Sequence, residues 1–294
     1  TYDEAITLPS YVYLYGGFAG SETVRGQRDW RMNVSVLGGG DTRHVVTASG
    51  GYQVSVIDGF TIRSSSAGFG IYCYYSSPVI ANAAITGSYL GISCFSSSPL
   101  ITNCTISQNK MGVYGSHSSP SITSNTITAN AQHGVACLSG APVITNNTIA
   151  ANAWLGIACF YGSPEITNNI AAFNGTGVRS IGGTPLLSNN CVFNPDGTDY
   201  SGLAAGAGDI RADPLFQSAA YDMLHIQPGS PCVDAGLDDA VQQGWTDMDG
   251  QARLQGAHVD IGADESDGTA WPEYVPVVVS LRTGAPSIPT PQMR

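Results

Sequence analysis

Six prolines (Pro78, Pro99, Pro120, Pro142, Pro164 and Pro185) recur at steps of 21 or 22 residues. Six glycines (Gly70, Gly91, Gly112, Gly134, Gly156 and Gly177) keep step with them. Between the two series the text nearly repeats: Ser-Pro-Leu-Ile-Thr-Asn-Cys-Thr-Ile at 98–106 stands against Ala-Pro-Val-Ile-Thr-Asn-Asn-Thr-Ile at 141–149. A fixed period of this size means stacked units, because one such unit cannot bury its apolar face alone. β-branched triplets broken by Asn, Gly and Ser make each unit a coil of short strands. The chain is therefore expected to be an all-β solenoid of 21–22 residues per coil.

Each repeat reads as three strands and three bends. The first strand is Gly-Ile-x-Cys, as at Gly91-Ile92-Ser93-Cys94; a Ser/Gly-rich corner, a Pro-x-Ile-Thr strand, an Asn bend and a Thr-Ile strand follow. Alternation points Ile71, Ile92, Val113, Val135, Ile157 and Val178 inward. Ile85, Ile106, Ile127, Ile149 and, with a one-residue shift, Ile170 form a second inward column. Val79/Ile80, Leu100/Ile101, Ile122, Ile144, Ile166 and Leu187 supply the third wall. Asn125, Asn147, Asn169 and Asn190 share one corner, and Asn109, Asn130, Asn152, Asn174 and Asn194 share another. Asparagine tolerates the left-handed backbone of a sharp bend and can bond to the same amide one coil away. Both roles are structural, and the sequons at Asn33, Asn103, Asn146 and Asn174 are read as by-products of the bends.

Composition narrows the partners. Only 11% of residues are charged, Lys110 is the one lysine, and the net charge is −11. That balance excludes a nucleic-acid partner, which needs a basic footprint. No apolar run reaches the roughly 18 residues of a transmembrane segment. The chain opens directly into the strand-like Ile6-Thr7-Leu8, as a secreted protein without its leader would, so an extracellular or cell-surface location is expected. Of seven cysteines, Cys73, Cys94, Cys137 and Cys159 each fall three residues after a repeat glycine and form one column, interrupted by Gly115. Coils stack about 4.8 Å apart, inside the Cα window of a disulfide. Parallel Cβ vectors suit the bond's dihedral poorly, which favours an inward ladder of free thiols over disulfides. Cys104, Cys191 and Cys232 belong to other registers.

Residues 60–194, with their repeated Asn-Thr-Ile, Gly-Ile and small-residue corners, resemble the right-handed parallel β-helix family. The resemblance implies hand and stacking, which periodicity alone does not. Tyr13-Leu14-Tyr15-Gly16-Gly17-Phe18-Ala19-Gly20, with Glu22, Arg28-Asp29-Trp30 and Val36-Leu37, resembles the first coils of large bacterial extracellular β-helix proteins. Asp213-Pro214-Leu215-Phe216, Ser230-Pro231-Cys232-Val233-Asp234-Ala235-Gly236, Asp247-Met248-Asp249-Gly250, Arg253 and Val259-Asp260-Ile261-Gly262-Ala263-Asp264-Glu265 resemble the terminal module of secreted β-helix proteins with interchangeable cell-surface anchors. On this reading residues 1–215 are the β-helix, 216–268 a C-terminal capping module and 269–294 an extended Pro-rich tail.

Many proteins of that family are polysaccharide lyases or hydrolases, whose chemistry needs paired carboxyls, or acidic metal ligands with an Arg or Lys base. Between Ser76 and Asn190 the one carboxylate is Glu165, against Lys110 and Arg179. The outward first-strand positions, Tyr72, Ser93, Tyr114, Ala136, Ala158 and Arg179, hold no acid–base pair, and His117 and His133 sit at different corners. No catalytic residue, cofactor or metal site is assigned. Asp247-Met248-Asp249-Gly250 begins like a calcium loop, but Gln251-Ala252-Arg253 breaks the pattern, so Arg253 is expected to tie these acids together and close the final coil.

The position four after each repeat glycine holds Tyr74, Phe95, Ser116, Leu138, Phe160 and Ile181, with Tyr89, Trp154 and Tyr161 nearby. Facing outward, these residues make an aromatic stripe for sugars or another subunit; turned inward, they pad the core. Tyr72, Tyr74, Phe95, Tyr114, Trp154 and Phe160 are the candidate partner-binding residues. Tyr274, Val275, Val277, Val279 and Leu281 form an apolar run in the tail. It either folds back along the solenoid or adds as a strand to a second copy, building head-to-tail filaments. The expectation is a non-enzymatic extracellular structural or adhesion protein. The alternative is a carbohydrate-binding or carbohydrate-active β-helix with a polysaccharide partner.

Overall fold

The computed structural model describes residues 1–39, 44–51, 54–64, 67–218 and 224–271. The assembly candidates Tyr274, Val275, Val277, Val279 and Leu281 lie outside the described residues. The chain winds as a parallel β-helix whose described strands form three sheets, two of nine strands and one of eight. In one coil Leu90–Phe95 belongs to the first sheet, Leu100–Thr102 to the second and Thr105–Ser107 to the third. Every strand pairs in parallel with its counterparts in the coils before and after, from Tyr2–Asp3 to Thr198–Ser201.

The register follows the repeat. Ile71, Ile92, Val113, Val135, Ile157 and Val178 are successive partners in the first sheet. Ile85, Ile106, Ile127 and Ile149 are partners in the third, and Ile80, Ile101, Ile122, Ile144 and Ile166 in the second. All are buried in one continuous core, together with Cys73, Cys94, Cys137 and Cys159. All seven cysteines are free and buried. The repeat glycines are required by the closeness of the coils: a Cβ at Gly91 would sit 2.6 Å from the carbonyl oxygen of Gly112.

Two details of the coil differ from the sequence reading. The shifted Ile170 does not continue the inward column. Ile149 pairs with Ala171, and Ala171 and Val192 carry the column on. Ile170 takes the place of Thr148 on the outer face, where the C-terminal module covers it. The left-handed bends are also one residue earlier than the corner asparagines. Asn82, Asn103, Ser124, Asn146, Asn168 and Asn189 have φ of 50–55° at one corner, and Gln108, Ala129, Ala151 and Phe173 have φ of 54–57° at the other. The asparagine that follows each bend is turned inward and bonds between coils. Asn125 Nδ2 donates to Asn147 Oδ1 (2.9 Å), Asn147 Nδ2 to Asn169 Oδ1 (2.9 Å) and Asn169 Nδ2 to Asn190 Oδ1 (3.1 Å). Asn130, Asn152 and Asn174 repeat the pattern at the other corner, at 2.9 and 3.0 Å. A hydrogen-bonded amide column of this kind fixes the register while pairing the side-chain donors of its own members.

The last coil is closed by the segment after Thr198–Ser201. Ala207 and Ile210 bridge to Ser188 and Cys191, and Leu203 packs on the core. The expectation that the C-terminal module closes that coil is therefore corrected: the module lies along the flank, against the outer face of the third sheet. Asn168 exchanges hydrogen bonds with Leu237, Ala263 N donates to Thr148 Oγ1 (3.0 Å), and Asn103 Nδ2 donates to Thr246 Oγ1 (3.0 Å). Near the first coils Arg31 donates to the carbonyls of Met248 and Asp249, each at 2.7 Å. A small second core joins the two layers, with Ile170, Ala172 and Cys191 from the sheet and Ile226, Cys232 and Ile261 from the module.

Candidate functional site

Because inward and outward residues alternate, positions two and four after each repeat glycine face out from the first sheet. Tyr74 pairs across coils with Phe95, Phe95 with Ser116, Leu138 with Phe160 and Phe160 with Ile181. The stripe is thus outward. Tyr74 is 41% exposed and Phe95 36%. Their rings stack with centroids 5.6 Å apart and planes 24° from parallel, Tyr72 stacks on Tyr74 at 5.8 Å, and Tyr75 meets Phe95 edge-on at 5.9 Å. His44 and Phe69, one coil apart, extend the array to Tyr72.

The structure brings Tyr72, Tyr74 and Phe95 into one cluster. Tyr114 and Phe160 instead pack against a separate small cluster of Ala136, Leu155 and Ala158. Trp154 is separate; it lies exposed at the corner before its strand, its ring 5.6 Å from that of His133. Lys110 sits 4.2 Å over the ring of Tyr89, at the equivalent corner two coils earlier, and donates to its hydroxyl. Phe69 and Tyr75 were not singled out from sequence. The signal for Phe69 is the column just before each repeat glycine (Phe69, Leu90, Met111, His133, Leu155), where large side chains recur.

The chemistry of this face is largely apolar, with Arg179 its exposed charge at the far end. From Phe69–Ser76 to Thr176–Ile181 its strands contain no carboxylate. Burial, then Tyr74 and Tyr75, raise the Tyr72 phenol above its usual value, so it is a neutral donor at physiological pH. Burial and then the charge of Arg179 lower His133, which keeps that imidazole neutral. Flat rings with adjacent hydroxyls present both the stacking surface and the polar handles that a sugar ring uses.

The acidic residues gather in the module. Arg253 is fully buried and pairs with Glu265 at 3.1 Å, its Nη2 also donating to the Asp260 carbonyl. Asp247 Oδ1 accepts from the amides of Asp249 and Gln251 in its own turn, and its Oδ2 accepts from Glu265 N at 3.3 Å. Asp249 reaches His225 Nε2 at 2.8 Å. His225, Asp249 and Asp264 bring three ligand-type atoms within 4.8 Å of one another, a place where a cation could be held that the sequence reading did not identify. Its three members come from segments 24 and 15 positions apart, a spacing that carries no motif.

Residues 45–193, just over half of the chain, match the family described as right-handed β-helix region, and the chain belongs to that family. The coils are accordingly right-handed. No curated protein matches the chain. Among solved structures it is similar to pectate lyase Pel9A at 13% identity and a TM-score of 0.41, over 90% of this chain and 86% of that one. No helix among the described residues is long and apolar enough to cross a membrane.

Proposed function

We propose that this β-helix is a non-enzymatic extracellular adhesion protein that holds polysaccharide on the aromatic outer face of its first sheet. The observation that carries the reading is the exposed, stacked pair Tyr74 and Phe95, set at the spacing of the coils, with Tyr72 and Tyr75 beside it. Such rings offer a flat surface to a sugar at little ordering entropy. The want of an acid–base pair on the same strands supports binding without bond cleavage. An extracellular location draws its support from the repeat type and from the C-terminal motifs that resemble surface-attached proteins. Filament assembly through residues 274–281 rests on sequence alone; deletion of 270–294 leaves it standing only if full-length protein assembles and the truncated protein does not.

The test is retention of the purified chain in gels cast with neutral or acidic polysaccharides, with product analysis of the same mixtures. Retention by at least one polysaccharide, abolished in the Tyr74→Ala/Phe95→Ala double variant and without new reducing or unsaturated ends, supports the proposal. Turnover abolished by replacing Glu165 or Arg179 makes the chain a carbohydrate-active enzyme instead.

A further inference from the structure

We infer that Cys191 and Cys232 close a disulfide that fastens the C-terminal module to the flank of the solenoid. Cys191 begins the third-sheet strand Cys191–Phe193. Its neighbour Val192 points into the main core, so the Cys191 side chain points out of the solenoid, into the second core where Cys232 also lies. Cys232 comes from the module, held there by Ile261 N donating to its carbonyl at 2.9 Å while Gly262 N donates to Asn168 O at 2.9 Å. Both residues are fully buried in that same small core, where the Cys191 thiol donates to the Ala212 carbonyl at 3.2 Å.

The orientation separates this pair from the column Cys73, Cys94, Cys137 and Cys159. Cys73 and Cys94 are in-register partners on one sheet, so their Cβ atoms project side by side. Cys191 and Cys232 approach from two facing layers, and converging Cβ vectors are what the disulfide dihedral requires. The bond would join segments 41 positions apart in sequence and hold the module where hydrogen bonds from Asn168 and Asn189 already place it. In the reaction two thiols lose two protons and two electrons to form one S–S bond; a small disulfide oxidant such as glutathione disulfide accepts both and leaves as two thiols. The neighbouring Cys191 sulfur, then burial, keep the Cys232 thiol well above its usual range, so thiolate is scarce in the docked state. Oxidation therefore proceeds while the module is undocked, during folding. In the cell the oxidant comes from the extracellular setting proposed above, and the experiment supplies its own.

The full chain is refolded in a glutathione redox buffer, free thiols are blocked, and a non-reduced digest is read by mass spectrometry. The expected result is one linked peptide pair containing Cys191 and Cys232, lighter by two hydrogens than its parts, with Cys73, Cys94, Cys104, Cys137 and Cys159 blocked as thiols. Reductant should lower the Tm of this protein by roughly 5–10 °C and leave Cys191→Ser and Cys232→Ser variants unmoved. All seven cysteines blocked as thiols after oxidative refolding, a Cys73–Cys94 link in their place, or a Tm indifferent to reductant overturns the inference. These readouts do not depend on sugar binding or on location, so the disulfide and the proposed function fail separately.

Discussion

Asn190 Nδ2 donates to Asp209 Oδ1 at 2.9 Å, and that contact ends the column of side-chain amides that starts at Asn125. An amide can accept from one coil and donate to the next, whereas a carboxylate only accepts. Asp209 therefore stops the relay, and its Oδ2 takes the Tyr200 hydroxyl (2.8 Å) and Gly206 N (2.7 Å) of the closing segment. Asp199 ends the second column in the same way beneath Asn194, with Arg211 on its other oxygen at 2.8 Å. Replacing Asp209 by Asn sets a side-chain donor against Gly206 N–H, while the Tyr200 hydroxyl can turn to accept. The expected loss is about 1 kcal/mol in urea unfolding, the lower end of the cost of an unsatisfied group because this site is only part-buried.

Within the column the effect should be larger. Asn147 accepts from Asn125 N and Nδ2 and donates to Ile122 O, Thr145 O and Asn169 Oδ1. Asn147→Ala orphans several buried groups at once, so a loss of at least about 3 kcal/mol is expected. Leu186→Ala, at a side chain 70% exposed on the second sheet, should stay within about 0.5 kcal/mol of the parent. Equal losses in the two variants would contradict the amide columns as a source of stability.

Ile149 is wholly buried between Ile127 and Ala171. Ile149→Asp places an unpaired charge in the continuous core, which is several times worse than a lost contact. Far-UV circular dichroism should report loss of several coils, and a native spectrum with an unchanged Tm would refute the packing.

These inward columns were legible because alternation and period act locally and repeat. Ile170 was misplaced because its coil exchanges the usual order: Ile170-Ala171 stands where the coil before has Thr148-Ile149. Only the module, which turns the outer face of that coil into a second core, makes an outward isoleucine sensible. The flank docking was invisible for the same reason. It rests on contacts such as Asn168 with Leu237 and Thr148 with Ala263, 69 and 115 positions apart, which no periodic pattern encodes. The aromatic stripe could be listed from sequence, but its facing was settled only by the parity of the strand.

The module should grip more firmly at acid pH. Burial pushes Asp264 up to about 7 and Glu265 up to about 8, the latter despite Arg253. Burial works against protonation of His225, but the hydrogen bond to Asp249 and the nearby acids outweigh it and raise that imidazole. Unfolded carboxylates ionise near about 4, so between there and about 8 the folded state holds more protons than the unfolded one. Each raised group contributes stability that is complete below its unfolded pKa and lost as pH rises through its folded value. Hydrogen exchange of Ile226 N–H and Asp260 N–H, which donate to Asp264 and Glu265, reports on this directly. After correction for intrinsic rates, their protection should be greater at pH 5.5 than at pH 8.5, and Asp264→Asn should flatten the difference. Protection that increases with pH would contradict the assignment.

The central claim, a sugar-holding aromatic face, is tested most directly by calorimetric titration of the full chain with an oligosaccharide series cut from whichever polysaccharide retains it. The account predicts affinity that rises with chain length as successive sugar rings reach Tyr74 and Phe95. It also predicts at least about a tenfold loss, close to 1.4 kcal/mol, in Tyr74→Ala/Phe95→Ala with Leu186→Ala unchanged. Affinity that is independent of length and equal in all three proteins would contradict it.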